Sequence, residues 1–322
     1  MHYLFILVGL LLLFFGGDFL VNSSVRLAKI LGLSDVLIGV VMIGFGTSAP
    51  ELFVSLQAAL FNQPDIALGN VVGSNLANIL LILGVTAMIF PVMCQDHAVM
   101  RGTLIGGLVS IILFAITFFD FISRFVGLCF MFILVGYLMV SYHIEKNHNT
   151  SMVVASLDTS RIVKSHRQAG RVFWLIIVCI ISISMLVIGA TSLVKGASYL
   201  AHQFGISDAI IGLSVVAIGT SLPELATAIS AALKKNTAII MGGVLGSNLF
   251  NTLSILGLVS IIQPISMSST IATFDIQVAM TVALLLMFIV VLFKQLSRTV
   301  GGFFLLFYGI YIIQMYSTIQ TS

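Results

Sequence analysis

Long apolar runs follow one another along almost the whole chain, separated by short polar connections. A helix rising 1.5 Å per residue needs roughly 20 apolar residues to cross the hydrocarbon core of a bilayer. Runs of that quality stand at residues 3 to 21, 36 to 60, 66 to 90, 102 to 119, 125 to 142, 172 to 194, 209 to 233, 238 to 262, 273 to 293 and 299 to 316. They predict an all-α membrane protein with ten transmembrane helices. Most polar residues lie between the runs. A few lie inside the second, third, seventh and eighth, where lipid cannot solvate them.

The same runs repeat. Displaced by 173 residues, "GFGTSAPELFVSLQAAL" from Gly44 falls on "AIGTSLPELATAISAAL" from Ala217, and "GNVVGSNLANILLILG" from Gly69 falls on "GGVLGSNLFNTLSILG" from Gly242. Positions 42 to 84 and 215 to 257 share 21 identities in 43. Two unrelated greasy helices match at Leu and Ile, not at Gly-Thr-Ser-x-Pro-Glu and Gly-Ser-Asn-x-x-Asn in register. The match extends to Gly32, Asp35 and Gly39 on Gly205, Asp208 and Gly212, and to Pro91 on Pro264. With a one-residue slip, Arg124 falls on Arg298. Five helices per half is an odd number, so the second half enters the membrane in the opposite sense, as an inverted-topology repeat. The halves are residues 1–142 and 172–322, joined by a polar linker at 143–171 that reads as a solvated tether.

Charge fixes an orientation. Of 14 Lys and Arg, ten helices place all but Arg124 and Lys195 on one side, and the positive-inside rule makes that side cytoplasmic, with both termini outside. Composition agrees with a lipid solvent, at 59% hydrophobic and 8% charged residues. A net charge of +3, confined to connections, offers no patch for nucleic acid. The first run lacks a basic leader and matches a later segment, so it reads as a retained helix rather than a signal peptide. The sequence carries no signal of oligomeric state.

Two carboxylates sit at mid-helix, Glu51 and Glu224. A charge there costs about 2.5 to 3.5 kcal/mol on insertion scales and persists for function. Each follows Gly-Thr-Ser-x-Pro. Pro50 and Pro223 remove a backbone donor and free a carbonyl one turn earlier, and Gly46 and Gly219 let the helix open there. Thr47, Ser48, Thr220 and Ser221 add hydroxyl oxygens. Hard cations take such all-oxygen cages, and calcium favours carboxylates. The partner motif follows at equal distance: Asn78 lies 27 residues beyond Glu51, and Asn251 27 beyond Glu224. Ser74 with Asn78, and Ser247 with Asn251, are spaced to share one helix face. Gly69, Gly73, Gly242 and Gly246 permit close helix packing.

These motifs resemble the alpha-repeats of the calcium/cation antiporter superfamily, most closely its compact prokaryotic sodium/calcium exchangers. The resemblance implies ten helices as five plus five inverted, in a prokaryotic inner membrane. It implies a calcium site of Glu51 and Glu224 with backbone oxygens at Thr47 and Thr220. Sodium sites would use Ser48, Ser74, Ser221 and Ser247, the same glutamates, and the carbonyls of Gly44 and Ala217. Calcium and sodium are then cargo, and no cofactor is expected. Some members of the superfamily, including potassium-dependent ones, carry Asp where Asn251 stands. The resemblance also implies alternating access by sliding of the first and sixth helices, and a proton-coupled calcium antiporter is the alternative within the same class.

The remaining polar residues add little. The six histidines show no zinc spacing, and Cys94, Cys129 and Cys179 form no CxxC pair. Asp18 and Asp275 read as interfacial. No nucleophile and base or HExxH dyad suggests an enzyme, and a channel has no need of two sealed halves.

Overall fold

Apolar sequence between turn and capping residues folds into helices because lipid leaves no other partner for the backbone. The computed structural model describes residues 2–61, 64–119, 121–154, 165–203, 217–266 and 274–321. Helix α1 spans His2–Leu31. Gly32 then adopts φ +65° and the Leu33 N–H reaches the Ala28 carbonyl at 3.0 Å, a glycine-terminated helix end. Ser34 caps α2 (Asp35–Ile38) through the Leu37 N–H at 3.0 Å. The chain therefore re-enters within three residues.

The second predicted helix is broken. A π-helical stretch at Gly39–Gly44 follows α2, then a short α3 (Phe45–Thr47), and α4 (Ala49–Leu60) leaves at a bend of 46°. The break falls at Ser48, where ψ is 7°, two residues before Pro50. In the second half, α10 (Ala217–Thr220) and α11 (Leu222–Leu233) break in the same way at Ser221, where ψ is 5°. The start of the predicted seventh helix lies outside the described residues, as do Gly205, Asp208 and Gly212.

The third and eighth predicted helices also contain π turns. Helix α5 (Pro64–Leu76) passes through Ala77–Ile82 into α6 (Leu83–Ile89), and α12 (Thr237–Leu249) passes through Phe250–Ile255 into α13 (Leu256–Ile262). These two spans form the centre, with 67% and 78% of their apolar windows buried, against 11% to 33% for the other unbroken spans. Around them stand α7 (His97–Ile116), α8 (Arg124–Val154), α9 (Ser165–Gln203), α14 (Ile276–Phe293) and α15 (Arg298–Thr321). Their outer faces carry exposed Phe132, Phe173, Trp174 and Phe293, the surface a bilayer covers. Helices α8 and α9 run into residues 143–171 from both ends, further than a tether requires.

Among the described residues, eight helices are long and apolar enough to span a membrane, and the bent pair makes nine. Two-residue ribbons tie the halves together. Strand β1 (Val92–Met93) pairs antiparallel with β4 (Gln295–Leu296), and β2 (Phe121–Ile122) with β3 (Ile265–Ser266). Each ribbon is closed by an arginine: Arg298 donates to the Ile89 carbonyl and Arg124 to that of Ile262, both at 3.5 Å. Asp18 pairs with Lys234 at 2.6 Å and Asp275 accepts from the Tyr311 hydroxyl at 3.1 Å. The exposed Asp18 pair is worth no more than about 1 kcal/mol.

Candidate ion-binding site

Each Glu sits in the first turn of the helix that follows a break. Pro50 and Pro223 occupy the start of α4 and α11, where their missing N–H is harmless, and Glu51 and Glu224 come next. Both carboxylates are buried, at 1% and 5% exposure. With Thr47, Ser48, Ser74, Asn78, Ser221, Ser247 and Asn251, also buried, they make a polar centre in an apolar protein. Among the described residues no three His, Cys, Asp or Glu come together; the rest of the cage is neutral oxygen.

The halves interlock here. Ser48 Oγ of the first half donates to Glu224 Oε1 at 3.4 Å, and Ser247 Oγ of the second donates to the Gly44 carbonyl at 3.2 Å. Thr47, Glu224 and Ser247 line one small cavity of about 10 Å³, the room of a single water-sized particle. On the other side, the hydroxyls of Ser74 and Ser221 lie beside the Glu51 carboxylate. Helix α4 packs against the π turn that carries Asn251, and α12, which carries Ser247, against the π turn that carries Asn78. The structure thus brings Gly44, Thr47, Ser48, Glu224 and Ser247 together, and Glu51 with Ser74 and Ser221. Thr220 is half-buried immediately before Ser221. Ala217 opens α10, and its side chain lies outside what is described.

Closeness of the backbones makes this possible. A Cβ added at Gly242 would stand 2.4 Å from the Val36 carbonyl oxygen, at Gly246 2.7 Å from Val40 Cα, and at Gly44 2.8 Å from the Gly246 carbonyl carbon. The packing role read for Gly242 and Gly246 is met. Beyond its own stretch of helix, no described atom lies within 4 Å of a Cβ at Gly73.

Buried polar atoms are nearly always hydrogen-bonded. Among the described residues, Glu51 Oε2, Glu224 Oε2, Asn78 Oδ1, Asn251 Oδ1 and Ser221 Oγ are buried without a partner, and outside this cluster only Ser24 Oγ is. All five are oxygens, two of them from the carboxylates themselves, and oxygen ligands of this kind are what a hard cation takes.

Sequence reasoning passed over Asn70, Asn75, Asn248 and Thr252. Asn70 donates to the Glu51 carbonyl at 3.1 Å and to Ser55 Oγ at 2.9 Å, bracing α4 from α5. Asn75 and Asn248 stand inside the repeated Gly-Ser-Asn, but four-residue spacing pairs only Ser74 with Asn78 and Ser247 with Asn251.

A helical membrane protein with paired, broken helices that bring two carboxylates into one oxygen cage defines a membrane cation carrier. Residues 1–143 and 174–317 match the sodium/calcium exchanger protein family, and the chain belongs to that family, whose members are antiporters rather than enzymes. It is 32% identical to the putative antiporter CaxA of Alkalimonas amylolytica over 88% of both chains. It is 33% identical to the inner membrane protein YrbG of Escherichia coli over 80% of this chain and 79% of that one. The sodium/calcium exchanger MaX1 of Methanosarcina acetivorans is 29% identical over 98% of each. Among solved structures, the sodium-calcium exchanger NCX_Mj soaked with 10 mM Na+ and zero Ca2+ superposes with a TM-score of 0.83 at 29% identity, covering 97% of this chain and 98% of that one.

Proposed function

We propose that this protein exchanges sodium for calcium across a prokaryotic inner membrane by alternating access, with sodium running inward and calcium expelled. The observation that carries the reading is the set of five unpartnered buried oxygens that includes one from each of Glu51 and Glu224. Two carboxylates balance one calcium and are overbalanced by three sodium ions. A three-for-one exchange moves one net charge, which feels about 2.3 kcal/mol per 100 mV. The calcium ligands are Glu51 and Glu224 with backbone oxygens of Thr47 and Thr220, and Asn78 and Asn251 facing the same cage. The sodium ligands are Ser48, Ser247 and the Gly44 carbonyl with Glu224, and Ser74, Ser221 and the Ala217 carbonyl with Glu51. The contacts from Ser48 to Glu224 and from Ser247 to Gly44 support the first set, and the hydroxyls beside Glu51 the second. If the uncharged Asn251 sets a potassium-independent site, wild-type exchange should not need potassium.

The chain crosses the membrane ten times as two inverted five-helix repeats, with both termini outside. Each ribbon takes one strand from each half, and the two closing arginines fall on each other in the repeat, as such symmetry requires. Helices α1 and α9, which pack along each other, form the sliding pair.

The test is calcium-45 uptake into sealed proteoliposomes. Sodium trapped inside should drive uptake that collapses when the sodium gradient is dissipated. Cysteines placed at Asn149 and Ser322 should label from opposite sides of the same vesicles. Uptake driven equally by a pH gradient without sodium would establish the proton-coupled alternative instead.

A further inference from the structure

A side-chain amide presents a cation either with an attractive oxygen or, turned by half a rotation, with a repulsive NH2 group. Asn78 and Asn251 both turn a buried, unpartnered Oδ1 toward their surroundings. In each case the other end of the amide is held by an asparagine of the opposite half. Asn251 Nδ2 donates to Asn75 Oδ1 at 3.1 Å, and Asn78 Nδ2 donates to Asn248 Oδ1 at 2.9 Å. Asn75 is itself held, since its Nδ2 donates to Thr252 Oγ1 at 2.9 Å. The position matching Thr252 in the first half is Ile79, so this last link exists on one side only. Asn75, Asn248 and Thr252 line a separate cavity of about 40 Å³ with α7 and α14. They belong to a layer behind the cage.

We propose that Asn75 and Asn248 are positioning residues that lock the amides of Asn251 and Asn78 with their oxygens toward the transported cation. The inference rests on the reading that these oxygens face the ion. An unlocked amide in a cage with two carboxylates is free to turn and donate its own N–H groups to them, standing in for the cation it should help to bind. The lock therefore acts on cation affinity more than on the rate of the loaded carrier. Thr252 extends the lock on the Asn75 side by fixing which end of Asn75 meets Asn251.

Measured in sodium-loaded proteoliposomes, Asn75→Ala should raise the calcium concentration for half-maximal uptake roughly tenfold, the size expected when one hydrogen bond to a charged group is gained by the competing state. Maximal rate should stay within about twofold. Asn75→Asp keeps an acceptor for Asn251 and can accept from the Thr252 hydroxyl, so it should hold the half-saturating concentration at or below wild type. Thr252→Val, nearly isosteric, should give a smaller rise in the same direction and serves if Asn75→Ala does not fold. The decisive variant is Asn75→Ala in an Asn251→Asp background. A carboxylate offers oxygen in either rotation, so there the second change should have no further effect on half-saturation. An equal rise in both backgrounds, or a loss of maximal rate at unchanged half-saturation, would overturn the lock. Absence of sodium-driven uptake by the wild type would instead overturn the function on which it rests.

Discussion

Glu51→Gln and Glu224→Gln should each reduce sodium-driven calcium uptake below about 1% of wild type while leaving the protein inserted and folded. At 4 Å and an effective dielectric of about 20, one unit-charge pair is worth about 4 kcal/mol, and each 1.4 kcal/mol is tenfold in affinity. Removing one carboxylate from a divalent ion therefore costs it at least about a thousandfold. The same change relieves the folded protein of a buried charge, so thermal stability in detergent should be unchanged or higher. Normal uptake in either variant would sink the assignment. Loss of uptake together with loss of folded protein would mean that the carboxylate holds structure rather than cargo.

Gly246→Val should abolish transport by a different route. Its Cβ would meet Val40 Cα at 2.7 Å, and a backbone atom cannot rotate aside as a side chain does. Helix α12 must then separate from the π turn at Gly39–Gly44, and overpacking of this kind costs typically 1–3 kcal/mol. The neighbouring Ser247 would lose its bond to the Gly44 carbonyl, so the cage opens even where the fold survives. Thermal unfolding should shift down and uptake should vanish. Gly136→Ala, where nothing lies within 4 Å of the added atom, should be neutral or slightly stabilising, since Ala exceeds Gly in helix propensity by about 1 kcal/mol. Equal tolerance at both glycines would show that the close crossing is not needed.

Much of this site was legible because burying charge in lipid leaves so few innocent explanations. Glu51 and Glu224 stood out by depth, and their repetition with Pro50 and Pro223 marked the place where the helix must break. The break itself falls at Ser48 and Ser221, slightly earlier than proline alone dictates, because proline sits comfortably in the first turn of the following helix. The π turns were not legible. They insert an extra residue per turn without any residue type that demands it. Asn75 and Asn248 were not legible either, because their contacts run between the halves, which no local spacing encodes. Asp18 and Asp275 read as interfacial, and Asp18 turns out to pair with Lys234, a contact set by how α1 packs on α11.

If one cage holds calcium or sodium, never both in full, exchange follows from that exclusion. Equilibrium binding of calcium-45 to the purified protein, titrated with sodium at constant ionic strength, tests it most directly. One calcium should bind per chain, displaced completely and with a sodium dependence steeper than a single ion, and no such binding should occur in Glu51→Gln or Glu224→Gln. Calcium that stays bound at saturating sodium, or that binds equally well to both variants, would contradict it.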